Sequence, residues 1–469
     1  MHGVAVRIPL VLTAVGVLVA LNIGLGVLLV SGEKKAMVLA ILPVVLVGLG
    51  SLIASNRAVL VFAAFAIVLF EPLPLTGALP LSVGVQIYPS DLLVLLAVGS
   101  WVAAWLIGPQ DARPSSLRSR VLSWPLLLFG LVLCAALVHG HLRYGTSIVS
   151  LSLRFLVYAG IAAALTDLRP RDAYRAVVVL FYSATVWQAL VAAHDIATGK
   201  TSTGSASLST GGERILAGST AMFMIGTLLL ALLNLERDRR ASRIALHLLM
   251  VALSAFALAN TYARANFALV ALLVPLFLLV FRNVRFRAAS FVPLAVPFVV
   301  AAAMLVPRLD SSFLPTLVDR VTTRPGTDTS VKYRRIAYGA VWSQIREAPI
   351  TGSGFGRPAT FTVNYQRFTI VQDPHNQFLY LWAGGGLLLL GTFVLLLVVY
   401  VWEVWRRLRT GTPDERRLVI WAASLWFVFV VNSLSGAILT VPHLLLVFWT
   451  LMVLPMVVRP RDRGIAQLV

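Results

Sequence analysis

The sequence is poor in the features that mark soluble enzymes. It has one cysteine, Cys134, in 469 residues, which excludes an intramolecular disulfide and any cysteine-based metal site. Set inside an apolar run, that thiol reads as a small buried hydrophobe. Charged residues make up only 12% of the chain, against about 25% in an average soluble domain. Acidic side chains are the scarcer sign, 19 against 39 basic. No HExxH motif, paired carboxylates or Cys/His ligand set stands between the apolar runs, so neither a metal nor any other cofactor is expected. Gly199-Lys200-Thr201 has the tail of a phosphate-binding loop, but His194 replaces the earlier glycine of that motif, which excludes a nucleotide site. No internal repeat is visible, although tandem helical hairpins could hide a weak one.

Apolar length is what the chain has in abundance. Hydrophobic residues make up 59%, against about 45–50% in soluble domains. Runs able to cross a hydrocarbon core, which takes about 20 helical residues, recur at 8–30, 36–54, 58–71, 90–108, 122–138, 147–166, 176–195, 214–234, 244–260, 265–281, 288–306, 376–401, 418–434 and 437–457. The predicted fold is all-α: a polytopic transmembrane bundle of about 12–14 spans. The first run is longer than a signal-peptide core of about 7–15 residues and reads as a true helix. A net charge of +20 would suggest nucleic acid in a soluble protein. Here the basic residues fall mostly in alternate short loops, which share one side of the membrane, among them Arg237/Arg239/Arg240/Arg243 and Arg406/Arg407/Arg409/Arg416/Arg417. The positive-inside rule accounts for them, makes that side and both termini cytoplasmic, and removes nucleic acid as a partner in favour of membrane lipid.

Three regions follow: helices over 1–306, an extracytoplasmic loop subdomain over 307–374, and C-terminal helices over 375–469. The loop carries nine Lys or Arg residues, and long loops translocate largely regardless of charge. Within it, Ile336, Ala340, Val341 and Ile345 recur at helical spacing, which predicts an amphipathic helix over Val331 to Glu347 ending before Pro349. A second outer segment, Thr198 to Gly212, is rich in Gly, Ser and Thr and reads as a loop.

Candidate chemistry gathers on the outer side. Gly352, Gly354 and Gly356 could let backbone N–H groups approach an anion as a nest, or make a tight turn back to the membrane. Asp373 as N-cap and Pro374 at the first helical position predict a helix start that places His375 in the first turn of a span. A helix N-terminus disfavours the imidazolium, which would keep His375 able to accept a proton. Arg154, Arg214, Arg264 and the doublet Arg334/Arg335 lie at or near outer ends of spans or on the loop helix. Charges there are costly and so mark function, and guanidinium groups match phosphate oxygens two-pronged. Each could also snorkel to lipid headgroups.

Tyr333-Arg334-Arg335, an alanine- and aromatic-containing helix, Pro349-x-x-Gly352-x-Gly354-x-Gly356, and His375-Asn376 with Leu379 and the glycines at 384–386 together resemble the signature of the O-antigen ligase and O-antigen polymerase superfamily. Arg214-Ile-Leu-Ala-Gly218 and Tyr262-Ala-Arg264 fit the same family, with Ala263 a departure where members often carry serine. The resemblance implies a membrane glycosyltransferase of cell-envelope and lipopolysaccharide biosynthesis in the bacterial inner membrane. It would move a glycan from a polyprenyl (undecaprenyl) diphosphate to a hydroxyl on a glycan or a lipid-linked core sugar, at the periplasmic face and without metal. It implies His375 as general base, Arg214, Arg264 and Arg334 holding the diphosphate with Arg335 as the alternative within the doublet, and Asp373 and Asn376 in support. Both ligase and polymerase fall within it. The competing class is a transporter or flippase of lipid-linked saccharides, which shares the many spans but needs access from both faces.

Overall fold

Backbone N–H and C=O groups have no water to bond in a hydrocarbon layer, so apolar runs of spanning length fold as helices that satisfy themselves. The computed structural model describes residues 57–69, 90–98, 120–145, 170–198, 220–261, 264–280, 329–363, 366–370, 375–434 and 441–457, with 154, 161, 165 and 436 singly. The expected spans at 8–30, 36–54 and 288–306, the loop at 199–212, Arg214 and Asp373 lie outside the described residues. The chain divides into two compact units, Met1–Ser116 with Gly160–Asp167, and Leu117–Ala159 with Leu168–Val469. In the first, α1 (Arg57–Leu69) and a helical run at 90–98 are described, with Leu60, Val61, Ala64 and Phe65 buried at helical spacing.

The second unit holds α2 (Arg120–Tyr144), α3 (Pro170–Thr198), α4 (Thr220–Arg237), α5 (Ala241–Ala259), α6 (Arg264–Val280) and α7 (Thr329–Glu347). After a two-stranded hairpin, β1 (Ala359–Val363) and β2 (Gln366–Ile370), come α8 (Gln377–Thr410), α9 (Pro413–Ser433) and α10 (Pro442–Val457). Among the described residues six helices are long and apolar enough to cross a membrane, and α6 and α10 are shorter apolar helices. The bundle is all-α, as the hydropathy predicts. The hairpin departs from that pattern. Its antiparallel register pairs Ala359 with Ile370 and Val363 with Gln366, burying Phe361 while Thr360 and Thr362 stay exposed.

Helix α4 is the axis of one half of this unit. It is buried continuously from Thr220 to Leu235, as expected of a helix apolar all round, and α3, α5, α6 and α9 pack on it. Gly226 lets α9 come close: the buried Trp421 indole donates to its carbonyl at 2.9 Å and stands edge-on to Phe181 at 5.1 Å. The other half joins α2, α8 and α10 through Phe129, Phe393, Phe448 and Trp449, and α9 through Trp426 against Tyr400 and Phe448. Leu127, Leu131, Val138 and Leu142 point outward from α2. Cys134 is also exposed on α2, which corrects its expected burial, because an apolar side chain in lipid loses nothing by facing out.

A chain of polar side chains ties α3, α4 and α5 together. The Tyr174 hydroxyl donates to Asn234 Oδ1 at 2.6 Å, and Asn234 Nδ2 donates to the Tyr182 hydroxyl at 3.2 Å. That hydroxyl lies 2.9 Å from His247 Nδ1, and His247 Nε2 lies 2.8 Å from Asp238 Oδ2. One direction of donation satisfies the series: Nε2–H gives to the carboxylate, leaving Nδ1 to accept from Tyr182. Asp238 sits in the α4–α5 turn, where burial would raise its carboxyl, but hydrogen bonds from His247 and Arg243 outweigh burial and hold it below the usual range. The Arg243 arm, at 3.2 Å, is exposed and contributes little; the His247 arm carries the effect. Since the folded-state value is depressed, the stabilisation is complete above the unfolded value of about 3.9 and is lost as pH falls through the folded value. Asp238→Asn should therefore lower stability at pH 7 by about 1–3 kcal/mol and flatten its fall as pH drops below about 5. Thermal unfolding in detergent across that range checks it, and an unchanged acid limb would contradict the assignment.

Candidate active site

Helix α8 is interrupted. Gly386 has φ 68° and ψ −169° inside it, a conformation open in practice only to glycine. A broken membrane helix leaves carbonyls and amides that another part of the protein must satisfy. Here the turn after α7 does so. Ser353 N donates to Ala383 O at 2.9 Å and Gly354 N to Gly384 O at 3.0 Å, while Leu387 N donates to Pro349 O at 2.8 Å and Leu388 N to Ile350 O at 3.3 Å. The Ser353 hydroxyl adds a second bond to Ala383 O, and the Trp382 indole one to Pro349 O.

Gly352, Gly354 and Gly356 all have positive φ, at 72°, 89° and 106°. A Cβ on Gly352 would strike the backbone of Gly384 and Gly386, and one on Gly354 would lie 2.8 Å from Gly140 Cα on α2. Reciprocally, a Cβ on Gly140 would strike the Phe355 carbonyl. The nest reading is corrected for Gly352 and Gly354. Gly352 N bonds Ala348 O and Gly354 N bonds Gly384 O, so these amides are committed to protein carbonyls, and the glycines serve close backbone approach between α2, the turn and α8.

This join lays α7 parallel to the first segment of α8, contacts advancing together along both helices from Tyr338 and His375 to Pro349 and Leu387. Val341 and Ile345 pack with Leu379, Trp382 and Ala383, Trp342 meets Trp382 edge-on at 5.3 Å, and Ala337 packs on Phe361 of the hairpin. At the far end α7 meets His375. The Tyr333 ring stands edge-on to the imidazole, centroids 5.8 Å apart, and the Tyr338 hydroxyl donates to the His375 carbonyl at 2.8 Å.

His375 is not in the first turn of the span. Asn376 is the N-cap, its Oδ1 accepting from Phe378 N and Leu379 N at 3.0 Å each, and its own carbonyl takes the first helical bond from Tyr380 N. The expected start at Asp373-Pro374 is corrected by three residues, because an asparagine side chain reaching two amides ends the backward growth of the helix. His375 stands just outside with φ 52°, the one non-glycine positive φ among the described residues. Asn376 Nδ2 donates to the Leu434 carbonyl at the end of α9 at 3.0 Å. Two residues earlier, Asn432 Nδ2 donates to Asn266 Oδ1 at 2.9 Å, both buried. The first turn of α6, the end of α9, the start of α8 and α7 are thus joined by hydrogen bonds around His375.

The arginines divide. Arg264 opens α6, two residues before Asn266, so its backbone joins this assembly. Arg334 is half-buried on α7, one helical turn from Tyr338, whereas Arg335 is exposed. Arg154 is helical and buried. Residues that sequence reasoning passed over are Tyr338, Asn266, Asn432 and the Leu434 carbonyl. The signal for the asparagines was a lone amide in an apolar run; a backbone carbonyl gives none.

Residues 249–394 match the O-antigen ligase family model. No curated protein matches the chain. The O-antigen ligase match runs from α5 through α6, α7, the glycine turn and His375, and ends beyond the break in α8. It supports a membrane enzyme of the O-antigen ligase or polymerase type, acting on lipid-linked glycans.

Glycine substitutions separate close approach from mere flexibility. Gly386→Ala and Gly140→Ala place a methyl against backbone and should destabilise by about 3 kcal/mol or more. Gly339→Ala and Gly391→Ala, helical positions with nothing within 4 Å of the added carbon, should stabilise by about 0.5–1 kcal/mol. Folded yield and thermal midpoints of the four variants check this ordering.

Proposed function

We propose that the chain is a glycosyltransferase that moves a glycan from a polyprenyl diphosphate donor to a sugar hydroxyl at the extracytoplasmic face. His375 carries this reading: within the matched region it holds a strained backbone conformation where four elements meet, and such outliers concentrate at functional sites. The arginine-rich turn at 406–417 joins the ends of α8 and α9 opposite to His375, and the charge rule thereby supports an outer location for it.

In the proposed reaction the acceptor oxygen attacks the anomeric carbon as His375 takes its proton. The bond from that carbon to the diphosphate oxygen breaks, and polyprenyl diphosphate leaves with the electron pair. Guanidinium groups fixed beside the departing oxygen stabilise its charge more in the transition state than in the bound donor. Arg264, Arg334 and Arg214 are assigned this role, Arg334 in preference to the exposed Arg335. Arg154, buried in its span, is proposed to support the same anion. The reaction needs no metal, since the leaving group is neutralised by fixed cations.

The test is release of undecaprenyl diphosphate by the full chain in lipid nanodiscs, supplied with an undecaprenyl-diphosphate oligosaccharide with and without a lipid-linked core acceptor. His375→Ala should cut release by about 10²–10⁴-fold while donor binding persists. Arg264→Lys and Arg334→Lys should each cost about one to two decades, from about 1.5–3 kcal/mol for a charge-assisted contact, and Arg335→Lys much less. Wild-type turnover by the His375 variant would overturn the assignment, and donor movement across the bilayer without bond formation would restore the carrier reading. EDTA should leave turnover unchanged; a loss restored by magnesium would contradict the metal-free step.

A further inference from the structure

His375 has a conformation its sequence position does not favour. An L-residue at φ 52° is strained relative to the helical alternative, which would simply extend α8 backward by one residue. Two interactions oppose that extension. Asn376 Oδ1 already occupies the amide of Leu379, the donor that a helical His375 carbonyl would need. The His375 carbonyl is instead turned to α7, where the Tyr338 hydroxyl donates to it at 2.8 Å. The same hydroxyl lies 3.5 Å from the Leu434 carbonyl, but its single proton serves the nearer acceptor.

We propose that Tyr338 is a positioning residue for the transfer reaction: its hydroxyl, by holding the His375 carbonyl, locks the left-handed backbone at 375 and so fixes where the imidazole sits. The inference rests on His375 being the base. Tyr338 itself touches no reacting atom. Its effect runs through backbone geometry, because a change from left-handed to helical φ at 375 swings the whole side chain. Tyr333 provides an edge-on wall for the imidazole in the locked conformation, and it lies on the same helix as Tyr338. One helix thus sets both the backbone and the ring of His375.

Tyr338→Phe keeps the ring and deletes the one hydroxyl. In nanodiscs, three quantities are measured side by side for the wild type, Tyr338→Phe and His375→Ala: turnover as released undecaprenyl diphosphate, the Kd for undecaprenyl diphosphate, and the thermal midpoint. The expected result for Tyr338→Phe is turnover lowered about three- to tenfold, the size of one lost hydrogen bond, with Kd and midpoint unchanged. Full turnover in Tyr338→Phe beside an inactive His375→Ala would overturn the positioning role and leave the base intact. A parallel fall in midpoint and turnover would also overturn it, by showing that the hydroxyl merely holds the fold. An active His375→Ala would remove the base reading itself and the proposal with it.

Discussion

A helix crossing hydrocarbon carries its own hydrogen bonds, and α8 gives several of them up at Gly386. The carbonyls of Ala383 and Gly384 and the amides of Leu387 and Leu388 then need partners from outside the helix, and the turn 349–354 supplies every one. In lipid such groups left unpaired would each cost several kcal/mol. The break and the turn therefore have to form together. This mutual satisfaction explains Gly352 and Gly354 in the turn, Gly386 in the helix and Gly140 on α2, each where backbone must touch backbone, while Gly384 leaves room for the Phe355 ring.

From that join the site follows by geometry. Once the turn following α7 is stitched to α8 at residues 387–388, a straight helix running parallel to α8 has its earlier residues at the start of α8, about three to four turns away. Tyr338 and Tyr333 arrive there at His375. The hairpin secures the flank of α7, with Phe361 against Tyr333 at 5.3 Å and the Gln344 amide on the Pro358 carbonyl at 2.9 Å. The loop segment is thereby part of the membrane unit's packing.

Hydropathy made the helices legible because length and apolarity alone decide whether a segment spans, and the 3.6-residue spacing of Ile336, Ala340, Val341 and Ile345 made α7 legible for the same kind of reason. Boundaries were less so. Asp373-Pro374 is a sound start signal, yet Asn376 competes with it from three residues on and prevails through two amide contacts. The hairpin was legible in principle, since Ala359 to Ile370 alternates threonine with apolar and aromatic residues, but the segment is short and lies between stronger signals. The glycine turn was ambiguous by nature. The same three glycines suit an anion nest or a backbone contact, and only the second set at 384–386 on a facing helix decides between them.

The matched family region ends at Val394, yet the assembly around His375 needs α9, which begins at Pro413. Asn432 grips Asn266 and Leu434 grips Asn376, so the far end of α9 must reach a set height. That height is fixed at the other end of the bundle. Thr412 and Glu415 form a reciprocal capping box, Pro413 starts the helix, and Arg416 closes the turn onto the carbonyls of Gly411 and Arg409. Glu403, buried, pairs with Arg406 and Arg407 at 2.6 and 2.8 Å and anchors the last turns of α8. Helices are stiff along their axes, so a turn built from arginine and a capping box at one surface sets the register of asparagine contacts at the other. The basic residues that give the chain its topology signal thus also hold the two helices whose opposite ends meet at His375.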